Sequence, residues 1–308
     1  HFFYPKKIFS PKITYLCGIF FIQINKIAVM DIEKWSDIVP SAIKTPITIY
    51  QNRSSIHYWY KRALAAIDKG STNVVVAGRP AVGKSVLVAN LYGAVNELAW
   101  ELPETSLSVE TSAIQLGEWT KLVRVIPGQN SLQRLKGLSN AFNENKGLEG
   151  VIYVTDFGYT NVRDKSIKLR KIHEEQITTI EALRQYNLRE ELEDFKITCH
   201  KIAEAVATGS PKWLAIAVNK ADFFFHELDK AQAYYHLESN SDFAKILKNT
   251  LNTVGSQHLH CVTMPICSYE TDLEWNGEII KTNIGGTDNR RILHKYFIKQ
   301  LANISDNL

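Results

Sequence analysis

Two short runs of the chain combine residue types and spacing suited to chemistry. The first is Gly78-Arg79-Pro80-Ala81-Val82-Gly83-Lys84-Ser85, a full match to GxxxxGK followed by Ser or Thr. Its glycines let backbone N–H groups face phosphate oxygens. Lys84 would neutralise β- and γ-phosphates, and the Ser85 hydroxyl would bind Mg²⁺. An apolar run, Asn73 to Ala77, precedes the turn and a helical pattern follows it, so a chance match in a surface loop is disfavoured. Phosphate binding is therefore expected of Gly78, Arg79, Pro80, Ala81, Val82, Gly83, Lys84 and Ser85. The second run is Asn219-Lys220-Ala221-Asp222, directly after the apolar stretch 214–218. Its aspartate can accept from guanine N1–H and the exocyclic amine together, a donor pair that adenine lacks. Asn219 would tether the loop, and the stem of Lys220 would pack on the base plane. In isolation, the same four residues could simply cap a helix after a strand.

The elements that must position these runs alternate in type. Residues 55–69 carry a helical stripe through Ile56, Tyr60, Leu64 and Ile67, ended by Gly70-Ser71. Residues 73–77, 151–154 and 214–218 are continuous apolar runs of the kind found in strands buried on both faces. A helix is expected over 86–100, and a hairpin over 112–116 and 122–126 through Gly117-Glu118. A last strand is expected over 261–266. A closing helix follows a Thr287-Asp288 cap, with Leu293, Tyr296, Phe297 and Leu301 on one face. The pattern predicts an α/β fold, a mostly parallel sheet with helices on both faces; with the glycine-punctuated turn at 78–85 it resembles the three-layer P-loop NTPase architecture. The charged stretch 160–212 reads as a helical insertion and its part 163–201 as a solvated helical hairpin, so deleting roughly residues 165–205 is expected to leave nucleotide binding intact.

Composition sets the outer bounds. The chain has 308 residues, 45% hydrophobic and 22% charged, which excludes a disordered, collagen-like or disulfide-stapled protein. The net charge of +4 resides entirely in residues 1–29, which hold Lys6, Lys7, Lys12 and Lys26 and no acid. From Met30 onward basic and acidic residues balance, so a nucleic-acid partner has no support in the body of the chain. The apolar run 13–24 is shorter than the roughly 20 residues that span a bilayer, and no A-x-A-like cleavage site follows. Met30-Asp-Ile-Glu-Lys resembles a true start. The expected layout is a non-native or unstructured leader over 1–29, a helical extension over 30–70 and the nucleotide-binding domain over 71–308. Cys17, Cys199, Cys261 and Cys267 are scattered, as expected of a cytoplasmic protein.

The two runs together resemble those of the Ras-like, translation-factor-related GTPases. The form Gly78-Arg79-Pro80 through Val82-Gly83-Lys84-Ser85 is similar to bacterial Era- and Der-type members. The resemblance spans about residues 72–305 and implies GTP or GDP as ligand, Mg²⁺ as cofactor, and a hydrolytic switch with a protein effector or operon partner. Thr105-Ser106-Leu107-Ser108-Val109-Glu110-Thr111 resembles the switch I region of Arf-like members. That implies Thr105, or alternatively Thr111, as a ligand to Mg²⁺ and the γ-phosphate. Ile126-Pro127-Gly128-Gln129 matches the end of the switch II motif DxxGQ. Gly128 would then contact the γ-phosphate; Gln129, which would orient the attacking water, and Lys84, through its charge on the phosphates, would be the catalytic residues. Val125 occupies the place of the motif's aspartate. Cys267-Ser268 resembles the SA-type motif that adds a backbone contact to guanine. Two other readings remain open: a module that binds GTP without hydrolysing it, and an ATPase with Asp156 as its Walker B carboxylate.

Three further features carry less weight. Asp156-Phe157-Gly158 has the letters of a kinase motif but lacks the accompanying HRD and VAIK segments, so a turn at a strand end is expected. His258, His260, Cys261 and Cys267 include zinc-ligand types, but ordinary packing on a strand accounts for them. The charge of 163–201 suggests a solvated face.

Overall fold

The strands form where the sequence offers side chains that can be buried on both faces. The computed structural model describes residues 34–44, 74–91, 110–116, 119–125, 136–137, 139–142 and 147–306. The expected leader, the helix 55–69 and the turn Gly117-Glu118 lie outside these residues. The described elements are α1 (Trp35–Lys44), β1 (Val74–Ala77), α2 (Lys84–Leu91), β2 (Glu110–Leu116), β3 (Trp119–Val125), β4 (Gly150–Thr155), α3 (Lys165–His173) and α4 (Ile180–Val206). They continue with β5 (Trp213–Val218), α5 (Leu228–Tyr235), α6 (Asp242–Val254), β6 (His260–Pro265), β7 (Leu273–Trp275), β8 (Glu278–Ile280) and α7 (Thr287–Asp306). α7 begins at Thr287 itself, so the expected cap residues stand inside its first turn.

Six strands make one sheet in the order β2-β3-β1-β4-β5-β6. Only β2 runs antiparallel, against β3; the other neighbours are parallel. β1, β4 and β5 are buried at every residue, which accounts for their unbroken apolar sequences. In a sheet of this kind, loops leaving the carboxyl ends of neighbouring parallel strands converge on one edge. Gly78 follows β1, Asp156 follows β4, Asn219 follows β5 and Cys267 follows β6.

The stretch 160–212 corrects the expectation of a solvated insertion. α3 is indeed largely exposed, with Ile167 and Leu169 open to solvent. α4 is not. Leu183, Asn187, Glu191, Phe195, Cys199 and Ile202 form a buried stripe, and Phe195 stacks on Phe243 of α6 at 4.0 Å and meets Tyr153 of β4 at 4.8 Å. Its charges lie on the opposite face, while Asn187 and Glu191 interrupt the apolar period on the inner one. Deleting 165–205 would therefore open the core that covers β4. Among the described residues no helix is long and apolar enough to cross a membrane.

The hairpin β7–β8 was not expected from the sequence. Its turn residues Asn276 and Gly277 both have positive φ, at 47° and 85°. Asn-Gly is the pair that a two-residue hairpin turn requires there. Trp275 is fully buried and its Nε1–H donates to Ile177 O at 2.9 Å, fastening the hairpin to the chain just before α4.

Candidate functional site

The phosphate-loop sequence folds as a turn between β1 and α2 whose two glycines are sterically required. A Cβ on Gly78, at φ +136°, would sit 2.1 Å from the backbone oxygen of Val154 on the neighbouring strand. A Cβ on Gly83, at φ +94°, would sit 2.4 Å from Asn219 Nδ2. Ala81 takes a left-handed φ of 61° between them. The first turn of α2 contains no acidic side chain, so its exposed N–H groups and positive dipole end face the loop without a competing charge. Lys84 Nζ donates to Gly78 O at 2.9 Å and to Arg79 O at 2.7 Å, closing the loop on itself. Ser85 follows, half-buried in the first turn of α2. Arg79 leans the other way, with Nη1 donating to Asn187 O of α4 at 2.9 Å.

One amide joins three loops. Asn219 Nδ2 donates to Val82 O at 2.8 Å, and Asn219 Oδ1 accepts from Ser268 N–H at 2.9 Å. The phosphate loop, the loop after β5 and the loop after β6 are thus held at one spacing. Lys220, at a left-handed φ of 59°, donates from Nζ to Asp156 Oδ2 and to Tyr159 O, both at 2.7 Å. Asp222 is 2% exposed and accepts from Thr282 Oγ1 at 2.8 Å and Cys267 Sγ at 3.4 Å. Burial raises its carboxyl above the ordinary aspartate value, against the pull of these two donors and Lys220. Burial and the neighbouring Asp222 push the Cys267 thiol well up, so it remains a thiol.

A cavity of about 200 Å³ lies between these loops, walled by Ala81, Gly83 and Val86 on one side and by Asn219, Lys220, Phe223 and Ser268 on the other. Asn161, Arg163, Tyr269 and Thr271 complete the wall, and none of them was singled out by sequence pattern. Asn161 and Arg163 enter because the loop after β4 passes the mouth of the cleft; no motif marks them.

Other expected residues are placed differently or not at all. Thr105, Gly128 and Gln129 lie outside the described residues. Thr111 lies in β2 opposite Arg124 of β3. Val125 ends β3 and pairs with Val76 of β1, so the strand beside the phosphate loop ends without a carboxylate. Asp156 follows β4, on the other side of β1, and its carboxylate is engaged by Lys220 and by Thr160 Oγ1 at 2.8 and 2.9 Å. Among the described residues no group of three His, Cys, Asp or Glu side chains could hold a metal.

Behind the site, Glu191 of α4 bonds to Thr155 Oγ1 and accepts from Tyr235 OH at 2.8 Å. Burial raises its carboxyl from 4.5 to about 8; the two hydroxyls and Arg79 oppose the rise, and the Asp156 charge adds to it. The folded protein therefore holds a proton that the unfolded chain releases near 4.5. The stability this contributes is complete below that value and is lost as pH rises to about 8. Glu191→Gln, which keeps the neutral shape, should match the wild type near pH 5 and exceed it by roughly 2–4 kcal/mol near pH 8.5. Urea melts at the two pH values check this; a difference independent of pH would contradict it.

Residues 73–192 match the family model of the 50S ribosome-binding GTPase. The match takes in the phosphate loop and ends before Asn219. No curated protein matches the chain. Among solved structures, the chain is similar to Toc33 from Arabidopsis thaliana in a dimerization-deficient mutant, at 14% identity and TM-score 0.43 over 89% of this chain and 97% of that one. Toc33 in complex with Mg²⁺ and GMPPNP gives 13% identity and TM-score 0.44, over 86% and 95%. The mammalian SRP receptor gives 14% and 0.37, over 75% and 99%.

Proposed function

We propose that this chain binds GTP in the cleft between the phosphate loop and the Asn219–Asp222 loop, and hydrolyses it as a molecular switch. The observation that carries the reading is the Asn219 amide, which ties the phosphate loop to the loop holding Asp222. The phosphate loop and the loop that carries the guanine-type acceptor are thereby held at a fixed spacing, with Asp222 buried just behind the cavity wall that Asn219 and Lys220 form. On this reading the N–H groups of Gly78 to Ser85 take the phosphates, and Lys84 exchanges its two loop carbonyls for β- and γ-oxygens. The stem of Lys220 lies under the base while its ammonium stays on Asp156.

The donor set fits Mg²⁺ in a reduced form. Ser85 supplies a hydroxyl at the start of α2, and Mg²⁺ commonly fills its remaining positions with phosphate oxygens and water. Thr105 would be the second side-chain ligand. Bound there, the ion would neutralise charge on the β- and γ-phosphates. Val125 closes β3 where a carboxylate of that strand would reach the metal, with Glu110 opposite it on β2, so on this reading the metal is held weakly. Gln129 would orient the attacking water.

Val125 favours a second reading, a module that holds GTP and turns it over very slowly. Displacement of a labelled GTP analogue, followed by single-turnover hydrolysis with Mg²⁺, separates the readings. GTP should displace the probe at least a hundredfold more effectively than ATP. Equal displacement by ATP would remove the guanine assignment. Binding without hydrolysis would leave the module.

A further inference from the structure

Asp222 is held by a residue that belongs to neither motif. Thr282 lies 60 residues further along the chain, after the β7–β8 hairpin, and donates from Oγ1 to Asp222 Oδ2 at 2.8 Å. Cys267 Sγ, a weak donor, meets Oδ1 at 3.4 Å. An ionised carboxylate has about four lone-pair directions, two on each oxygen. These contacts take one direction on each oxygen, and the residue's own backbone N–H also bears on the carboxylate. The directions left over are those the guanine edge would meet.

The position of Thr282 is itself fixed. Its N–H donates to Asp272 Oδ1 at 3.1 Å, and Asn283 N–H reaches Asp222 O at 3.4 Å. The other oxygen of Asp272 accepts from Lys281 Nζ at 2.6 Å. The hairpin between them is secured to the start of α4, where Glu278 Oε2 accepts from Ile180 N–H at 2.7 Å. Its contacts run from α4 on one side to the Asp222 carboxylate on the other.

We propose that Thr282 is a positioning residue for base recognition: its hydroxyl fixes the plane of the Asp222 carboxylate so that both oxygens meet guanine at once. The proposal rests on the guanine reading of Asp222. A carboxylate torsion is broad and roughly two-fold when nothing pins it. A two-point contact with the base needs that torsion fixed, whereas a one-point contact tolerates rotation. Loss of the hydroxyl should therefore weaken GTP more than ITP, whose base keeps N1–H but lacks the 2-amine.

The test compares Thr282→Val, which keeps the shape and removes the donor, with Thr282→Ser, which restores it. Dissociation constants for GTP, ITP and ATP are measured on the full chain, with Asp222→Asn and XTP as a control. Thr282→Val is expected to bind GTP about tenfold more weakly. Its preference for GTP over ITP should shrink by about threefold or more, ATP should be unchanged, and Thr282→Ser should recover both GTP values. Wild-type affinity and preference in Thr282→Val would overturn the proposal. So would an equal loss for GTP and ITP that Thr282→Ser fails to restore, because that is a folding defect. If Asp222→Asn turns to XTP while Thr282→Val behaves as wild type, only the positioning role falls. If Asp222→Asn keeps GTP and gains no XTP, the guanine reading falls and the positioning role falls with it.

Discussion

Lys84→Ala should lose GTP affinity by at least a hundredfold while its melting behaviour stays close to that of the wild type. Lys84 is 7% exposed, and its ammonium donates to two carbonyls of its own loop. Removing it takes away those two hydrogen bonds and also the desolvation of a buried cation. These changes oppose each other, so the net stability change is within about 1 kcal/mol. Binding differs, because on the proposed reading the same ammonium faces phosphate oxygens, where each charge-assisted bond contributes roughly 1.5–3 kcal/mol. Two such bonds correspond to about a hundredfold or more in Kd. Lys84→Arg should not rescue, since a planar guanidinium cannot replace a compact ammonium inside a loop closed to 2.7 Å. Fluorescence titration with a labelled GTP analogue, beside a thermal melt, decides the matter. Near wild-type affinity in Lys84→Ala would end the assignment of the loop to phosphate binding.

The parts of the site that were legible in the sequence are those where chemistry dictates residue type. Gly78 and Gly83 stand where a Cβ would strike Val154 or Asn219, so no other residue fits. The buried strands were legible because a sheet covered on both faces admits few polar side chains, as Trp213 to Val218 illustrates. α4 was misjudged because its buried stripe includes Asn187 and Glu191. Asn187 is held by Gly158 O and Thr160 O, and Glu191 by Thr155 and Tyr235. Polar residues that satisfy one another inside a core look, in a sequence, like a solvated face. The β7–β8 hairpin carried a usable signal in Asn276-Gly277 that its three-residue strands were too short to support. Thr282 and Asn161 carried none. Only the meeting of loops at one sheet edge brings Asn161 to the cleft and Thr282 to Asp222, and that meeting depends on the order of strands rather than on local pattern.

Asp222→Asn should exchange GTP for XTP. Asp222 is 2% exposed, and its two oxygens accept from Thr282 and Cys267. The amide replaces one oxygen by an NH₂ group that meets a guanine donor head on. A mismatched donor pair in a buried place costs about 1–3 kcal/mol, and more where the lost acceptor was charged. A loss of tenfold to several hundredfold for GTP follows. Xanthine carries a carbonyl where guanine carries its 2-amine, so it offers the new amide an acceptor and should bind better to the variant than to the wild type. The phosphate loop is untouched, so phosphate-borne affinity should be equal in the two proteins. The Thr282 hydroxyl can rotate to accept from the amide, and for that reason the fold should survive the change. Isothermal titration with GTP and XTP supplies four Kd values. The expected result is a reversal of preference between wild type and variant. If the variant binds GTP as the wild type does and gains nothing for XTP, the loop after β5 does not read the base, and the cleft is that of a nucleotide-binding protein without guanine selectivity.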